Sequence, residues 1–259
     1  MTSKQLNKQL KELNISDYKQ WSKIITKTIA DVKKNHDIKI DLQKIDLNDN
    51  TTYSFLQNGE LGNIFYLNHY DMNEIIKHID VKSFEHLKAM LTLWRPSPMK
   101  EGLCDDYIDF KNNKTLIVYG EGLEKPLKPI LEYTYGNILY NEQVLDIIQV
   151  LSSISYEKAD LIRYAIRKNY SKEVKRFKKE FVNRSVTNGY PKEQCLKIFE
   201  TIVRYAPISF SEKFVTSYAL LTFYTLYLKA HFKEEYQQSY FYIVDKNIRK
   251  FHNGTLYTL

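Results

Sequence analysis

Apolar side chains recur three and four residues apart along most of this chain of 259 residues. The pattern is plain in segments 72–79 and 144–151, where Met, Ile, Val and Leu fall on one helical face. This period is typical of amphipathic α-helices, whereas a half-buried strand alternates every second residue. Only the apolar end of 51–70 and the segment 114–120 favour strands. The sequence therefore predicts a mainly α fold with one or two short strands.

The sequence carries no marker of a linker, of export or of a membrane span. Its 8 Gly and 6 Pro are dispersed, so one continuous body is the simplest interpretation. Cys104 and Cys195 show no C-x-x-C spacing, which argues against a zinc ribbon or a disulfide scaffold and fits a cytoplasmic protein. The N-terminal segment lacks the apolar core of a signal peptide. The apolar run 214–228 is too short to cross a bilayer and predicts a buried helix.

Positive charge is concentrated between Leu161 and Arg184. Nine basic and two acidic residues give this window a net charge of +7, equal to the excess of the whole chain. Phe177 and Phe181 mark the apolar face of a predicted helix in this window. Its opposite face carries four cations, which we call the basic stripe: Lys172, Lys175, Arg176 and Lys179. Such a stripe either keeps a helix soluble or contacts phosphate groups, and the residues alone leave both interpretations open.

Motifs of several common enzyme classes are absent from the sequence. It contains no G-x-S-x-G, no phosphate-binding P-loop and no G-x-G-x-x-G string, so hydrolase, NTPase and dinucleotide-binding functions lack support. The six His are scattered without an H-E-x-x-H string, which argues against catalytic zinc. We therefore expect no cofactor and no metal site.

Four strings in a fixed order carry a resemblance to a known family. They are LWRPSPMKEG (93–102) followed by DYID (106–109), LKPILEYTYGNILYNEQVLDIIQVLS (127–152), ADLIRYAIRKN (159–169) and SYALLTFYTLYLKAHFKEEY (217–236). Their order and separations resemble those of the C-family DNA polymerases, the alpha subunits of bacterial DNA polymerase III. The resemblance covers about residues 23–240.

This resemblance implies the fingers region of that enzyme, a helical body that contacts the incoming triphosphate and the template-primer. It divides the chain into a segment resembling a palm edge (1–50), a fingers-like domain (51–245) and a tail (246–259). In the family, three aspartates of the palm hold two Mg²⁺ ions. Two of these aspartates lie in a P-D-x-D-x-D string, which is missing here. Asp17 does not match the offset of the third. The resemblance therefore implies a protein that is not an enzyme by itself.

Some basic residues of the family motifs are replaced in this chain. The family's third string reads A-D-x-L-R-R-A-M-G-K-K, and here Arg163 and Lys168 occupy the first position of each basic pair. The second positions are Tyr164 and Asn169. Each lost cation removes a charge-assisted bond to a triphosphate. Arg167 stands at the Gly position and, one helical turn after Arg163, either contacts phosphate or forms a solvated face.

The string similar to F-N-K-S-H also departs from the family. Its Lys position is Glu212, and the neighbouring Lys213 is interpreted as a displaced cation. Arg95 of the R-P-G-P string is retained, although the Gly is Ser97. The candidate residues for binding nucleic acid or phosphate are Arg95, Arg163, Arg167, Lys168, Lys172, Lys175, Arg176, Lys179 and Lys213.

Two hypotheses of function follow from these observations. In the first, the chain binds DNA, single-stranded or as primer-template, in a replication context, alone or beside a separately encoded palm. In the second, it is an accessory or inhibitor of the kind that a phage or mobile element encodes, and it docks on host replisome proteins by keeping the shape of the fingers. Neither hypothesis involves a membrane.

Overall fold

The computed structural model describes residues 18–67, 72–113 and 119–255. Over these ranges the protein is helical, and the only strand-like pairing is an isolated bridge between Tyr140 and Phe210. The predicted mainly α fold is confirmed.

Thirteen α-helices lie within the described ranges. They are α1 Tyr18–His36, α2 Asn50–Gln57, α3 Met72–Ile79, α4 Phe84–Leu93, α5 Pro96–Lys100, α6 Leu103–Asn112, α7 Glu124–Leu131, α8 Asn141–Ser152, α9 Tyr156–Arg167, α10 Ser171–Thr187, α11 Lys192–Tyr205, α12 Glu212–His231 and α13 Lys233–Thr255. Two short 3-10 helices, Leu42–Lys44 and Glu132–Thr134, lie between them. None of the helices in the described ranges has the length and apolar content that a bilayer crossing needs.

The chain divides into two compact units, one formed by Met1–Leu87 with Thr216–Leu259 and the other by Lys88–Val215. In the first unit, α1 packs along α13. In the second, α8 packs against α7, α9 and α10, and α10 also packs against α11. Helix α8 is central because most of its apolar side chains are buried, Val144 and Ile148 completely. The second unit contains the basic stripe.

Helix α12 includes the run 214–228, for which a buried helix is predicted. Ala219, Phe223 and Leu226 lie on one face of the helix and Leu221 and Leu228 on the opposite face, and all five are at most 1% exposed. The predicted burial is confirmed.

The apolar end of 51–70 forms turns instead of the expected strand. Tyr66 has a φ of +63°, which is incompatible with extended backbone. The N–H of Phe65 donates to Oγ1 of Thr225, 3.3 Å away, so a side chain of α12 satisfies a group that a strand would pair with its neighbour. Most of the strand expected at 114–120 lies outside the described residues, and it stays a prediction.

Prolines of the segment 94–136 lie within short helices. Pro96 begins α5, where its missing N–H has no partner to lose. Pro126 lies in the first turn of α7, and only Pro129 lies in the interior of that helix. The segment is therefore more helical than its proline content indicates.

Candidate nucleic-acid interface

Helix α10 presents the basic stripe to solvent. Its opposite face is apolar: Phe177 is 6% exposed and Phe181 is fully buried. The ring of Phe181 meets Phe199 of α11 at a centroid distance of 5.3 Å. All four residues of the basic stripe are exposed. The predicted division of this helix into a basic and an apolar face is confirmed.

Salt bridges divide the nine cations of the window 161–184 into two groups. Three of them are neutralised by nearby carboxylates. Nε and Nη2 of Arg163 both donate to Oδ1 of Asp160 at 2.9 and 2.7 Å, and Lys178 and Arg184 pair with Glu200 and Glu180 at 2.9 and 3.2 Å. In the described part of the chain, the other six are exposed and form no salt bridge: Arg167, Lys168, Lys172, Lys175, Arg176 and Lys179. This second group is the uncompensated positive surface of the window.

Glu180 fixes α10 to α9 beside this surface. Its carboxylate accepts a hydrogen bond from Lys158 of α9 and lies 3.2 Å from Nε of Arg184. The hydrogen bond from Lys158, together with the charges of Lys158 and Arg184, holds the pKa of Glu180 below its ordinary value. The carboxylate is therefore occupied by these two cations and does not compensate the basic stripe.

Arg95 holds two segments of the second unit together. Its Nε donates to the carbonyl oxygen of Thr92 at 2.7 Å, and its Nη2 donates to that of Ile208 at 2.8 Å. The guanidinium carbon lies 4.7 Å from the ring centroid of Phe210. These contacts give the retained arginine a structural role, because at least two of its five donors are used by the backbone.

Glu212, at the position where the family has a cation, pairs with a buried lysine. Nζ of Lys88 lies 2.8 Å from Oε1 of Glu212, and the Lys88 side chain is only 7% exposed. The hydroxyl of Tyr133 donates to Oε2 of Glu212 at 3.3 Å, and the rings of Tyr133 and Tyr140 lie 5.9 and 5.4 Å from the amine. Lys213 is exposed on the first turn of α12. Sequence reasoning missed Lys88, whose only signal is a charge within the apolar run of α4.

Gln143, in the Y-N-E-Q string at the start of α8, organises the backbone around it. Oε1 of Gln143 accepts the N–H groups of Leu139 and Tyr140 at 2.8 and 3.0 Å. Nε2 of the same side chain donates to the carbonyl of Ile130 at 3.0 Å and to Oγ1 of Thr134 at 2.8 Å. One buried amide thereby satisfies groups from three segments of the chain.

Glu142, in the same string, caps α12. Its Oε2 accepts the N–H of Glu212 at 2.8 Å, and its Oε1 accepts the hydroxyl of Ser211 at 3.1 Å. A carboxylate at a helix N-terminus satisfies free N–H groups and interacts favourably with the helix dipole. The shared string therefore supplies hydrogen bonds that join α8 to the start of α12.

The described residues bear only in part on the prediction that the chain has no metal site. Asp17 lies outside the described ranges. Within those ranges, no three His, Cys, Asp or Glu side chains are arranged to hold a metal ion.

Comparison with known proteins identifies the family. The model of the bacterial DNA polymerase III alpha subunit finger domain matches residues 22–189. The DNA polymerase III subunit alpha of Aquifex aeolicus (strain VF5) is 35% identical over 208 residues, which are 79% of this chain and 17% of that protein. The subunit of Campylobacter jejuni is 33% identical over 228 residues, 88% of this chain and 19% of that protein.

The subunit of Escherichia coli (strain K12) is 35% identical over 205 residues, 78% of this chain and 18% of that protein. The chain thus spans less than one fifth of the length of these relatives. The matched residues include α8, α9, α10 and the basic stripe. The chain belongs to the finger-domain family of the bacterial DNA polymerase III alpha subunit.

Proposed function

We propose that this chain binds nucleic acid in a replication context through the basic stripe and the adjacent Arg167 and Lys168. The observation that carries this proposal is the group of six exposed cations without a carboxylate partner in the described structure, on α10 and at the end of α9. Cations in this arrangement bind phosphate groups without reading bases, so the binding is independent of sequence.

The family relationship supports the replication context and a role without independent catalysis. The match is to the finger domain, and the relatives of similar sequence are replicative polymerase subunits. The sequence contains no P-D-x-D-x-D string for the two metal ions of polymerisation. We therefore assign to the chain a binding role that is exercised alone or beside a palm on a separate polypeptide.

The test compares two variants with the same change in charge. The first replaces Lys172, Lys175, Arg176 and Lys179 with Glu. The matched control replaces four exposed lysines of the first unit with Glu: Lys33, Lys34, Lys39 and Lys44. Fluorescence anisotropy with labelled single-stranded and duplex DNA measures the affinity, and circular dichroism verifies that each variant is folded.

We expect the stripe variant to lose about 100-fold or more in affinity at about 0.1 M salt, and the control to change little. The reason is that reversed charges repel phosphates only where phosphates bind. Equal losses in both variants would show an effect of net charge alone. Unchanged affinity in the stripe variant would eliminate the proposed interface.

A second candidate function is supported by the cations that are used inside the chain. Arg163 is paired with Asp160, Arg95 donates to backbone carbonyls, and the family's Lys position is an acidic residue. Loss of these triphosphate contacts suits an accessory or inhibitor, such as one from a phage or mobile element, that docks on replication proteins. Capture of purified polymerase, clamp-loader or helicase subunits without retention of DNA would favour this candidate.

A further inference from the structure

Two tyrosine side chains meet at the corner between α9 and α10. Tyr164, in the last turn of α9, and Tyr170, directly before α10, are each 46% exposed. Their ring centroids are 6.2 Å apart, and the ring planes form an angle of 70°. Within the described residues, neither hydroxyl group makes a hydrogen bond. Leu161, three residues before Tyr164 on α9, is 60% exposed, so a further apolar side chain lies on the same face of the helix as Tyr164.

Backbone hydrogen bonds define the main-chain conformation of the corner that carries both rings. The N–H of Tyr170 donates to the carbonyl of Ala165 at 2.9 Å, and the N–H of Asn169 donates to that of Ile166 at 3.0 Å. Asn169 has a φ of +54°, so these bonds form a Schellman motif with a left-handed residue after the helix end. A ring presented by such a capped corner loses little conformational freedom when it binds a partner.

Cations surround the two rings. Nζ of Lys168 lies 5.8 Å from the ring centroid of Tyr164. Arg167 is exposed on the same turn, and Lys172 begins the basic stripe two residues after Tyr170. Surfaces that bind single strands combine these elements, since cations follow the phosphates and rings stack on unpaired bases. In a duplex the base faces are already stacked on each other and offer nothing to a surface ring.

We propose that Tyr164 and Tyr170 form a base-stacking platform, and that the ligand of the basic stripe is single-stranded nucleic acid. This inference rests on the proposed function, because the stripe and its neighbouring cations supply the phosphate contacts. The platform adds a preference for unpaired strands that the cations alone do not provide.

The test uses a labelled oligothymidylate of about 12 nucleotides and a duplex of equal length, with affinities measured by anisotropy at constant salt. The double variant Tyr164→Ala with Tyr170→Ala is expected to bind the oligothymidylate about tenfold or more weakly, with its duplex affinity unchanged. The matched control, Tyr164→Phe with Tyr170→Phe, keeps both rings and is expected to stay within about twofold of the wild type. The two single Ala variants are measured separately, and circular dichroism establishes that each is folded.

The outcomes separate this inference from the proposed function. If the Ala variant binds the oligothymidylate as the wild type does while the stripe variant does not, the platform is refuted and the proposed function stands. If the wild type binds neither ligand, both are refuted. An equal loss for the oligothymidylate and the duplex would also refute the platform, because it would show that the rings support the corner and do not contact bases.

Discussion

The ion pair between Lys88 and Glu212 joins α4 to α12 across 124 positions of the chain. The Lys88 side chain is 7% exposed, so removal of the Glu212 carboxylate takes an anion away from a positive charge that is largely shielded from water. We expect Glu212→Leu to lower the free energy of unfolding by about 3 kcal/mol, and addition of Lys88→Met to restore most of that loss. Urea denaturation of both variants and of the wild type measures the two effects.

Glu212→Gln is the control for this cycle, because it keeps the shape and the acceptor for Tyr133 while it removes the charge. We expect its free energy of unfolding to lie between that of the wild type and that of Glu212→Leu. Equal losses in Glu212→Leu and in the double variant would contradict this expectation, since they would show that the buried charge of Lys88 contributes nothing to the loss.

The sequence predicts the exposure of cations in the candidate site only where a local pattern determines it. The basic stripe and the buried face of Phe177 follow from helical periodicity, which the sequence shows directly. The pair of Arg163 with Asp160 is also local, three residues apart on one helix. The bond from Arg95 to the carbonyl of Ile208 was not predictable, because it spans 113 positions and carries no signature in a side-chain pattern.

At the scale of elements, Glu180 makes the contact between α9 and α10 sensitive to acid. Lys158 and Arg184 hold its pKa below the ordinary value, so the folded chain binds this proton less tightly than the unfolded chain does. Its stabilising effect is therefore present above the unfolded pKa of about 4.3 and is lost as the pH falls through the folded value. We expect Glu180→Gln to lower the free energy of unfolding by up to about 1 kcal/mol near neutral pH.

Urea denaturation over a series of pH values tests this expectation through the difference between the wild type and Glu180→Gln. The difference should shrink toward zero as the pH falls through the folded pKa of Glu180, because its side chain is then uncharged like that of Gln. A difference that is constant over the whole series would show that the salt bridges of Glu180 contribute nothing that depends on its charge.

Helices were predictable from the sequence to a greater extent than the connections between them. Helix α8 shows the apolar period of its buried face without interruption. The apolar end of 51–70 has no such period, and a short apolar run fits a strand or a series of turns equally well. Its conformation depends on Thr225, a distant residue whose hydroxyl accepts the N–H of Phe65.

At the scale of the whole molecule, the distribution of charge determines how the chain responds to salt. The window 161–184 carries a net charge of +7, equal to that of the complete chain, so the remaining residues balance to zero. A plot of log K against log salt has a negative slope. For a single strand, we expect Lys172→Gln or Lys175→Gln to make this slope shallower by about 0.7. Lys33→Gln, outside the window, should leave the slope unchanged.

Anisotropy titrations with the oligothymidylate between about 50 and about 200 mM salt give these slopes. Equal slopes for the wild type and the two variants of the basic stripe would show that these lysines contact no phosphate. A reduced slope for Lys33→Gln would show that the contacts extend beyond the window.

The hydrogen bonds of Gln143 and Glu142 affect how new members of this family are recognised. Both side chains join segments of the fold, and neither role involves nucleotide chemistry. A genome search with the Y-N-E-Q string will therefore find proteins that share these scaffold contacts, with or without polymerase activity. Enzymatic competence in a newly sequenced relative has to be judged from other positions.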